Sequence, residues 1–269
     1  EALQNTGDQE HFEKSSEELG EPDGVAKIVA FIISDDASYL KGSIITRWFY
    51  CRKQLEKELK MDLLKIINEL KKYDSATVQN AMILIRGYSD ESADYSGPQL
   101  KCYHLKDPVV GIAVTGKVCP LYEPKSKIEF MEFYDNIGKS ELPVFGILMD
   151  VEKNQGRAAI IGDVMAHMAR SLGAVGMIGA GSIRDLPGII NADMPVWGTG
   201  KVPGHGPFNL IETQTEVEVA GLKINSGDLL IGDTDGITRV PLDIAEETVI
   251  KSQEVREKET KSISAYKSK

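Results

Sequence analysis

Short apolar runs alternate with amphipathic segments along the middle of the chain, and this alternation most constrains the fold. The runs Val109–Val118, Pro143–Met149 and Val175–Gly179 are predicted to be strands. Helices are predicted between them, at Ser126–Asn136 and at Asp163–Leu172. Strands that alternate with helices predict an α/β layered domain.

The C-terminal third continues with short strand candidates and closes with a helix. Pro195–Thr199 and Glu216–Val219 are two such candidates, and Asp228–Asp233 and Gly236–Val240 form a pair split by a tight turn. From Pro241 to about Lys261 the sequence predicts a long charged helix. The closing strands fit the same layered domain.

The N-terminal residues differ from the rest in composition, and we predict a boundary near residue 60. Residues 1–60 form an N-terminal extension, with a short helix at Val25–Ser34 and a possible strand at Gly42–Thr46. The main domain, residues 61–269, begins with a helix at residue 61. Ser75 is predicted to cap a second helix that runs through Ile85.

Composition and charge exclude several classes of function. The 31 basic and 41 acidic residues give a net charge of −10, which disfavours a nucleic-acid binder or a binder of anionic membranes. No apolar run reaches the roughly 18 residues that a membrane span needs. Three cysteines are odd in number and scattered, so we expect a reducing cytoplasm rather than a disulfide framework.

The segment Ile160–Ile189 carries the candidate chemistry. Gly162 and Asp163 precede a helix, where the N–H groups of the first turn, those of Val164 and Met165, suit an anion. Twenty residues further on, a Gly-rich loop ends in Arg184-Asp185. Arginine offers a planar fork for a carboxylate, and aspartate is a hard oxygen ligand for a divalent cation.

Ordinary structural roles explain the same residue types. An adjacent Arg and Asp are usually a surface ion pair of little energetic weight, and a Gly-Asp at a helix start is usually an N-cap. His167 shares a helix face with Asp163 but has no required metal role, and His205 is either a lid residue facing substrate or an ordinary turn residue. Asp233 and Asp235 have calcium-like spacing without the rest of a calcium loop, so a turn is favoured.

Two resemblances add to these observations. The stretch LGEPDGVAKIVAFIISDDASYLKGSIIT (Leu19–Thr46) resembles the C-terminal piece of a short-chain dehydrogenase/reductase. The chain lacks a Gly-rich dinucleotide loop and a Tyr-x-x-x-Lys motif, so we expect a remnant rather than a working dehydrogenase.

From about Met61 to Lys261 the chain resembles the RraA-like family, which includes 4-hydroxy-4-methyl-2-oxoglutarate aldolases. The motifs that carry the resemblance are GIAVTGKV, GDVMAHMARSLGAVGMIGAGSIRD, MPVWGTG and SGDLLIGDTDGITRVP. The resemblance implies an α/β fold with a swivelling β/β/α core, preceded here by a short helical extension. It also implies homotrimers or homohexamers with active sites at the subunit interfaces.

The resemblance assigns roles to the candidate residues. Arg184 would hold the carboxylate of a small 2-oxo acid, Asp185 would bind Mg²⁺ or Mn²⁺, and Asp163 would hold a water on that metal. The amides from Gly162 to Met165 would cradle the substrate. The implied activity is a lyase: a class II-type aldolase for 4-hydroxy-4-methyl-2-oxoglutarate, an oxaloacetate decarboxylase, or both.

The resemblance leaves alternatives open. Some relatives are regulators that bind a ribonuclease, so a non-catalytic binding role is the competing hypothesis. Gly-Ala-Gly-Ser precedes Arg184, where many members carry an acidic or amide residue, and this leaves the substrate open. An acidic residue from a neighbouring subunit is also expected at the site. No lysine is placed for a Schiff base, Lys201 being the nearest after the motif.

Overall fold

The computed structural model describes residues 44–121 and 128–267, with side chains from residue 57 onward. Lys60–Lys269 form one compact unit, which carries the candidate site. The helices are α1 (Ile44–Leu70), α2 (Ser75–Arg86), α3 (Met131–Gly138), α4 (Asp163–Ser171), α5 (Leu186–Asn191) and α6 (Ala245–Lys267), the last preceded by a 3₁₀ turn at Leu242–Ile244. None of the described helices has the length and apolarity needed to cross a membrane.

Eleven strands lie within the described residues. They are β1 (Lys101–His104), β2 (Val109–Cys119), β3 (Val144–Asp150), β4 (Ala159–Ile161), β5 (Ala174–Ile183), β6 (Val196–Lys201), β7 (Asn209–Thr213), β8 (Val217–Val219), β9 (Leu222–Ile224), β10 (Leu229–Gly232) and β11 (Ile237–Val240). Nine of them form one sheet in the order β1-β6-β5-β3-β2-β10-β11, with β4 paired to β5 and β7 paired to β2.

The centre of the sheet is parallel and its margins are antiparallel. β2, β3, β5 and β6 run parallel in that order, and β4 joins β5 in parallel. β1, β7, β10 and β11 pair in antiparallel fashion. Parallel strands need crossover connections, and α3, α4 and α5 follow the strands they connect. The predicted alternation of strands and helices is therefore confirmed.

The sheet is covered on both faces, as its buried central strands require. On one face Phe133 of α3, Ala166 of α4 and Ile189 of α5 pack into one apolar cluster with the strands. The β8–β9 hairpin packs in the cluster that contains Phe145 and Trp197, whose rings meet edge to face at 5.8 Å. This hairpin–sheet–helix layering agrees with the predicted β/β/α core.

A third cluster joins α1, α2 and α6 to the β10–β11 end of the sheet. Ile67, Val78 and Ala245 are fully or almost fully buried there. Each fully buried side chain of Ile or Val size contributes about 1.5–3 kcal/mol relative to its exposed state.

Several sequence-based boundaries were wrong. Gly42–Thr46 was predicted to be a strand, but its described residues 44–46 begin helix α1, which continues through residue 61. The cap of α2 is Asp74, whose Oδ1 accepts from Thr77 N at 2.7 Å, and not Ser75. The helix predicted at Ser126–Asn136 begins only at residue 131 among the described residues. Val25–Ser34 lies outside the described residues.

Candidate active site

Gly162 and Asp163 lie at the junction of β4 and α4. Gly162 is the extended N-cap residue, and Asp163 is the first residue of the helix. A Cβ on Gly162 would lie 3.1 Å from Asp185 Oδ2 and 3.5 Å from Arg184 Nε. The absence of a side chain at residue 162 therefore lets the Arg184-Asp185 pair approach the start of α4 closely.

Arg184 and Asp185 reach this junction because β4 and β5 are parallel neighbours. Ile161 pairs with Ile183 in the sheet, and Arg184 N donates to Ile161 O at 2.9 Å. Asp185 follows in a left-handed conformation, with φ of 55°. This conformation is uncommon outside glycine, although aspartate tolerates it better than most residues. The sharp turn directs the chain from β5 into α5.

The three predicted residues line one cavity of about 370 Å³. Its polar lining comprises Gly162, Asp163, Arg184, Asp185 and His205, and its apolar lining comprises Phe130, Ala159, Ile161, Val164, Met165, Pro207 and Phe208. The structure therefore brings together every residue of the predicted site. The cavity is also lined by His205. The sequence left open whether His205 is a lid residue or an ordinary turn residue.

The charged groups of the cavity are partly paired with one another. Arg184 Nε donates to Asp185 Oδ2 at 2.9 Å, and Val164 N donates to Asp163 Oδ1 at 2.7 Å. The amide N–H of Val164 thus already donates to Asp163. Fewer backbone amides are therefore available to bind a substrate than the sequence predicted. The Arg184 and Asp185 side chains are 32% and 39% exposed, which leaves both accessible from the cavity.

Asp163 and Asp185 each have one carboxylate oxygen available for a cation. Asp163 Oδ2 and Asp185 Oδ1 accept no hydrogen bond from the described residues. Hard carboxylate oxygens on an open cavity suit Mg²⁺ or Mn²⁺, which retain several waters when few protein ligands are present. No group of three or more His, Cys, Asp or Glu side chains that could hold a metal occurs within residues 57–121 and 128–267. The donor set therefore fits a cation with mainly water ligands, or a site completed by another chain.

Helix α5 packs closely against the side chain of Asp163. A Cβ on Gly188 would lie 2.5 Å from Asp163 Cβ and 2.6 Å from its Oδ2. Gly188 N also donates to Asp185 O at 2.9 Å, so the same turn of α5 contacts both aspartates. Only a glycine at residue 188 leaves room for the Asp163 side chain in its present position.

The loop that bears His205 is anchored to the end of β2. Gly206 N and Phe208 N both donate to Pro120 O, at 3.0 Å and 3.3 Å. Phe208 has a φ of 64°, a region that bulky residues rarely adopt. Its ring meets Phe130 edge to face, with centroids 5.0 Å apart. These aromatic residues escaped the sequence analysis because isolated aromatics usually belong to the core.

Other candidate residues lie elsewhere. His167 is exposed on α4 and does not line the cavity, and Lys201 lies over the ring of Tyr103 at 5.5 Å. Asp233 accepts from Ser75 N at 2.6 Å and from Asp235 N at 2.8 Å. Asp233 therefore stabilises the turn, as the sequence favoured, and it also binds the start of α2, which the sequence did not predict.

Comparison with known proteins supplies the family. The sequence profile described as "RraA-like: Aldolase/RraA" matches residues 77–239, more than half of the chain. The chain belongs to the RraA-like family. This family holds both aldolases and the RraA inhibitors of ribonuclease. The family prediction is confirmed.

Individual relatives of this RraA-like chain are distant. It is 33% identical over 101 residues to a putative 4-hydroxy-4-methyl-2-oxoglutarate aldolase of Halalkalibacterium halodurans, an alignment that covers 35% of this chain and 45% of the relative. This alignment and two others with curated proteins span 19% to 54% of those proteins' lengths, so the chain covers about half or less of each of the three.

Solved structures share the fold. RraAS2 of Streptomyces coelicolor, described as an unusual member of the RNase ES inhibitor RraA family, is 23% identical with a TM-score of 0.60, and the match covers 74% of this chain and 95% of that one. A structure described under novel cellulases from microbes of the gut ecosystem is 25% identical with a TM-score of 0.61, over 73% of this chain and 86% of that one.

The dehydrogenase resemblance is not borne out. The family match begins at residue 77, and the comparisons give no support to a dehydrogenase segment at Leu19–Thr46. Most of that segment lies outside the described residues.

Proposed function

We propose that this RraA-like chain is a divalent-metal-dependent lyase that cleaves C–C bonds of pyruvate-type 2-oxo acids. It would act as a 4-hydroxy-4-methyl-2-oxoglutarate aldolase, an oxaloacetate decarboxylase, or both. One observation carries the proposal: Arg184, Asp163 and Asp185 line a single cavity at the N-terminus of α4. An isolated surface ion pair would not require that convergence.

Arg184 is proposed to bind the substrate carboxylate. Its Nε donates to Asp185, and its two terminal nitrogens, which have no partner among the described residues, are proposed to bind the carboxylate. The N-terminus of α4 adds a favourable potential for the same anion. Asp185 in turn fixes the plane of the guanidinium, and the fixed plane orients the 2-oxo group in the cavity.

Asp185 and, through a water, Asp163 are proposed to hold Mg²⁺ or Mn²⁺. When bound, such a cation supplies Lewis-acid stabilisation for the negative charge that develops on the keto oxygen. Two carboxylates, one of them acting through a water, would fill only a minority of the ligand positions of the cation, so other groups must fill the rest. We therefore propose that an acidic residue of a neighbouring subunit completes the site in a homotrimer or homohexamer.

Asp163 is also proposed to accept a proton during cleavage. Breaking C3–C4 of a 4-hydroxy-2-oxo acid requires loss of the C4 hydroxyl proton, and C3 then takes up a proton to give pyruvate. Asp163 Oδ2 accepts no hydrogen bond from the described residues, so it is available for this transfer. The apolar side chains of Ile161, Met165 and Phe130 line the cavity and would exclude part of the bulk water from a bound substrate.

The direct test is turnover of oxaloacetate and 4-hydroxy-4-methyl-2-oxoglutarate with Mg²⁺, measured as pyruvate release. We expect activity that EDTA abolishes and that Arg184→Ala lowers at least a hundredfold with folding unchanged. Arg170→Ala is the matched control, because Arg170 is 44% exposed on α4 and does not line the cavity. Absence of metal-dependent turnover of any short 2-oxo acid would favour the alternative, a non-catalytic regulator that binds a ribonuclease or another protein.

A further inference from the structure

We propose that His205 is the acid that protonates C3 of the pyruvate enolate, which C–C cleavage leaves in the cavity. This inference rests on the proposed function, because it adds a catalytic residue to the same site. Cleavage of a 4-hydroxy-2-oxo acid and decarboxylation of oxaloacetate both pass the electron pair of the broken bond to C3. Both reactions therefore need a proton donor at that carbon.

His205 lies between two backbone anchors. One residue before it, Gly204 O accepts from Ala159 N of β4 at 2.9 Å. One residue after it, Gly206 N donates at 3.0 Å to Pro120 O, which follows β2 directly. A Cβ at residue 206 would lie 2.6 Å from that oxygen, so only glycine allows this close approach. The backbone therefore holds His205 at the wall of the cavity, as a reacting group requires.

A hydrogen bond to the backbone fixes the roles of the two ring nitrogens. Nδ1 of His205 lies 2.8 Å from Gly206 O, and because a carbonyl oxygen only accepts, Nδ1 carries a proton. Nε2 of the same ring has no hydrogen-bond partner among the described residues. Nε2 is therefore the ring atom that can hold a proton in the imidazolium form and release it in the neutral form.

The other titratable side chains of the described cavity lining are less suited to this role. Arg184 does not give up a proton in proteins, and Asp185 is paired with it at 2.9 Å. Asp163 gains a proton from the C4 hydroxyl of an aldol substrate, but oxaloacetate has no such hydroxyl to supply one. Among the described lining residues, His205 is the donor that serves both reactions.

The proton transfer balances in atoms and electrons. The electron pair of the enolate forms a C–H bond at C3 while the Nε2–H bond breaks, and the pair of that bond stays on the ring, which becomes neutral. His205 is exposed, so its ring takes up the next proton from water. The reverse transfer removes a methyl proton from pyruvate, and neither direction needs an oxidant or a further co-reactant.

Exchange of the pyruvate methyl protons in D₂O, followed by NMR with the full chain and Mg²⁺, measures this transfer alone. His205→Ala and His205→Gln are both expected to lower exchange roughly a hundredfold, because neither side chain can carry the proton. His167→Ala is the matched control, since His167 is exposed on α4 and does not line the cavity. We expect that control to exchange as fast as the parent.

Two further measurements separate proton transfer from a structural role. Oxalate resembles the enolate but takes up no proton, so its affinity in a calorimetric titration with Mg²⁺ is expected to be the same in His205→Ala and in the parent. Added imidazole is expected to restore exchange in His205→Ala, where the deleted ring leaves space for it. Weaker oxalate binding without rescue by imidazole would show that His205 only shapes the cavity, and would overturn the proposal.

The same samples separate this inference from the proposed function. Slow exchange in His205→Ala, with oxaloacetate still consumed, would support the role of His205, because the enolate would then leave the cavity and take its proton from water. Equal exchange in the parent and in His205→Ala would overturn only the role of His205. Absence of both exchange and cleavage in the parent would overturn the proposed lyase and the role of His205 with it.

Discussion

Replacing Gly188 by alanine tests whether α5 holds Asp163 in its working position. The added Cβ would lie 2.5 Å from Asp163 Cβ and 3.0 Å from its Cγ. Carbon atoms pack at about 3.5–4.0 Å, so one partner must move by roughly 1 Å. Because the contact includes Cβ, which is bonded to the backbone, a change of rotamer at Asp163 does not relieve it. The start of α4 or α5 must shift.

Two opposing effects set the change in stability. Overpacking costs about 1–3 kcal/mol, whereas replacing a helical glycine by alanine gains about 0.4–1 kcal/mol. We expect a net loss of about 1–2 kcal/mol in the free energy of unfolding. The effect on turnover is larger, because a displacement of about 1 Å of a reacting group lowers the rate about a hundredfold.

Urea unfolding and pyruvate release measure the two effects on the same sample. Gly204→Ala is the matched control, since a Cβ there meets nothing within 4 Å and no positive φ is involved. We expect that control to stay within about 0.5 kcal/mol of the parent and to keep full turnover. A Gly188→Ala protein that is more stable than the parent and fully active would refute the close packing of α5 on Asp163.

Three further outcomes follow from named contacts. Asp233→Ala removes the acceptor of Ser75 N and Asp235 N, and is expected to lower unfolding stability by about 1–3 kcal/mol in urea; added Ca²⁺ should not change the midpoint of the parent protein. Partial burial alone would raise the pKa of Asp74, but hydrogen bonds from Thr77 outweigh it and hold that pKa below its usual value. Asp74 therefore stabilises the fold above about pH 4, and this contribution is lost as pH falls through the lowered pKa, so Asp74→Asn should flatten the acid side of a stability–pH curve. Burial raises the pKa of the Cys102 thiol to about 11, so we expect alkylation of Cys102 in the native protein at pH 8 to be much slower than after denaturation.

The parallel core was predictable because its strands are continuous apolar runs. Val109–Val118 and Pro143–Met149 coincide with β2 and β3 to within one residue at either end. Strands β1 and β7 were not predicted, because they are short, partly exposed and defined by pairing with residues distant in sequence. Local pattern carries little information about such pairing.

Part of the candidate site could likewise be predicted from the sequence, and part of it could not. Asp163 and Arg184 could be placed together from sequence because one helix and one strand separate them, and the return of a parallel strand brings its end beside the helix start. Phe130 and Phe208 could not be placed together from sequence, because their contact depends on the hydrogen bonds that hold residues 206 and 208 to Pro120 O. The polar half of the cavity was thus predictable from the sequence, and its aromatic half was not.

Exchange of the pyruvate methyl protons with solvent deuterium, followed by NMR, tests the central claim most directly. It requires carboxylate binding by Arg184 and enolate formation but no particular C4 group. We expect exchange with Mg²⁺ that EDTA stops, that Arg184→Ala lowers at least a hundredfold, and that Arg170→Ala leaves unchanged. Exchange no faster than in buffer with the parent protein, or equal exchange in Arg184→Ala, would contradict the proposed lyase site.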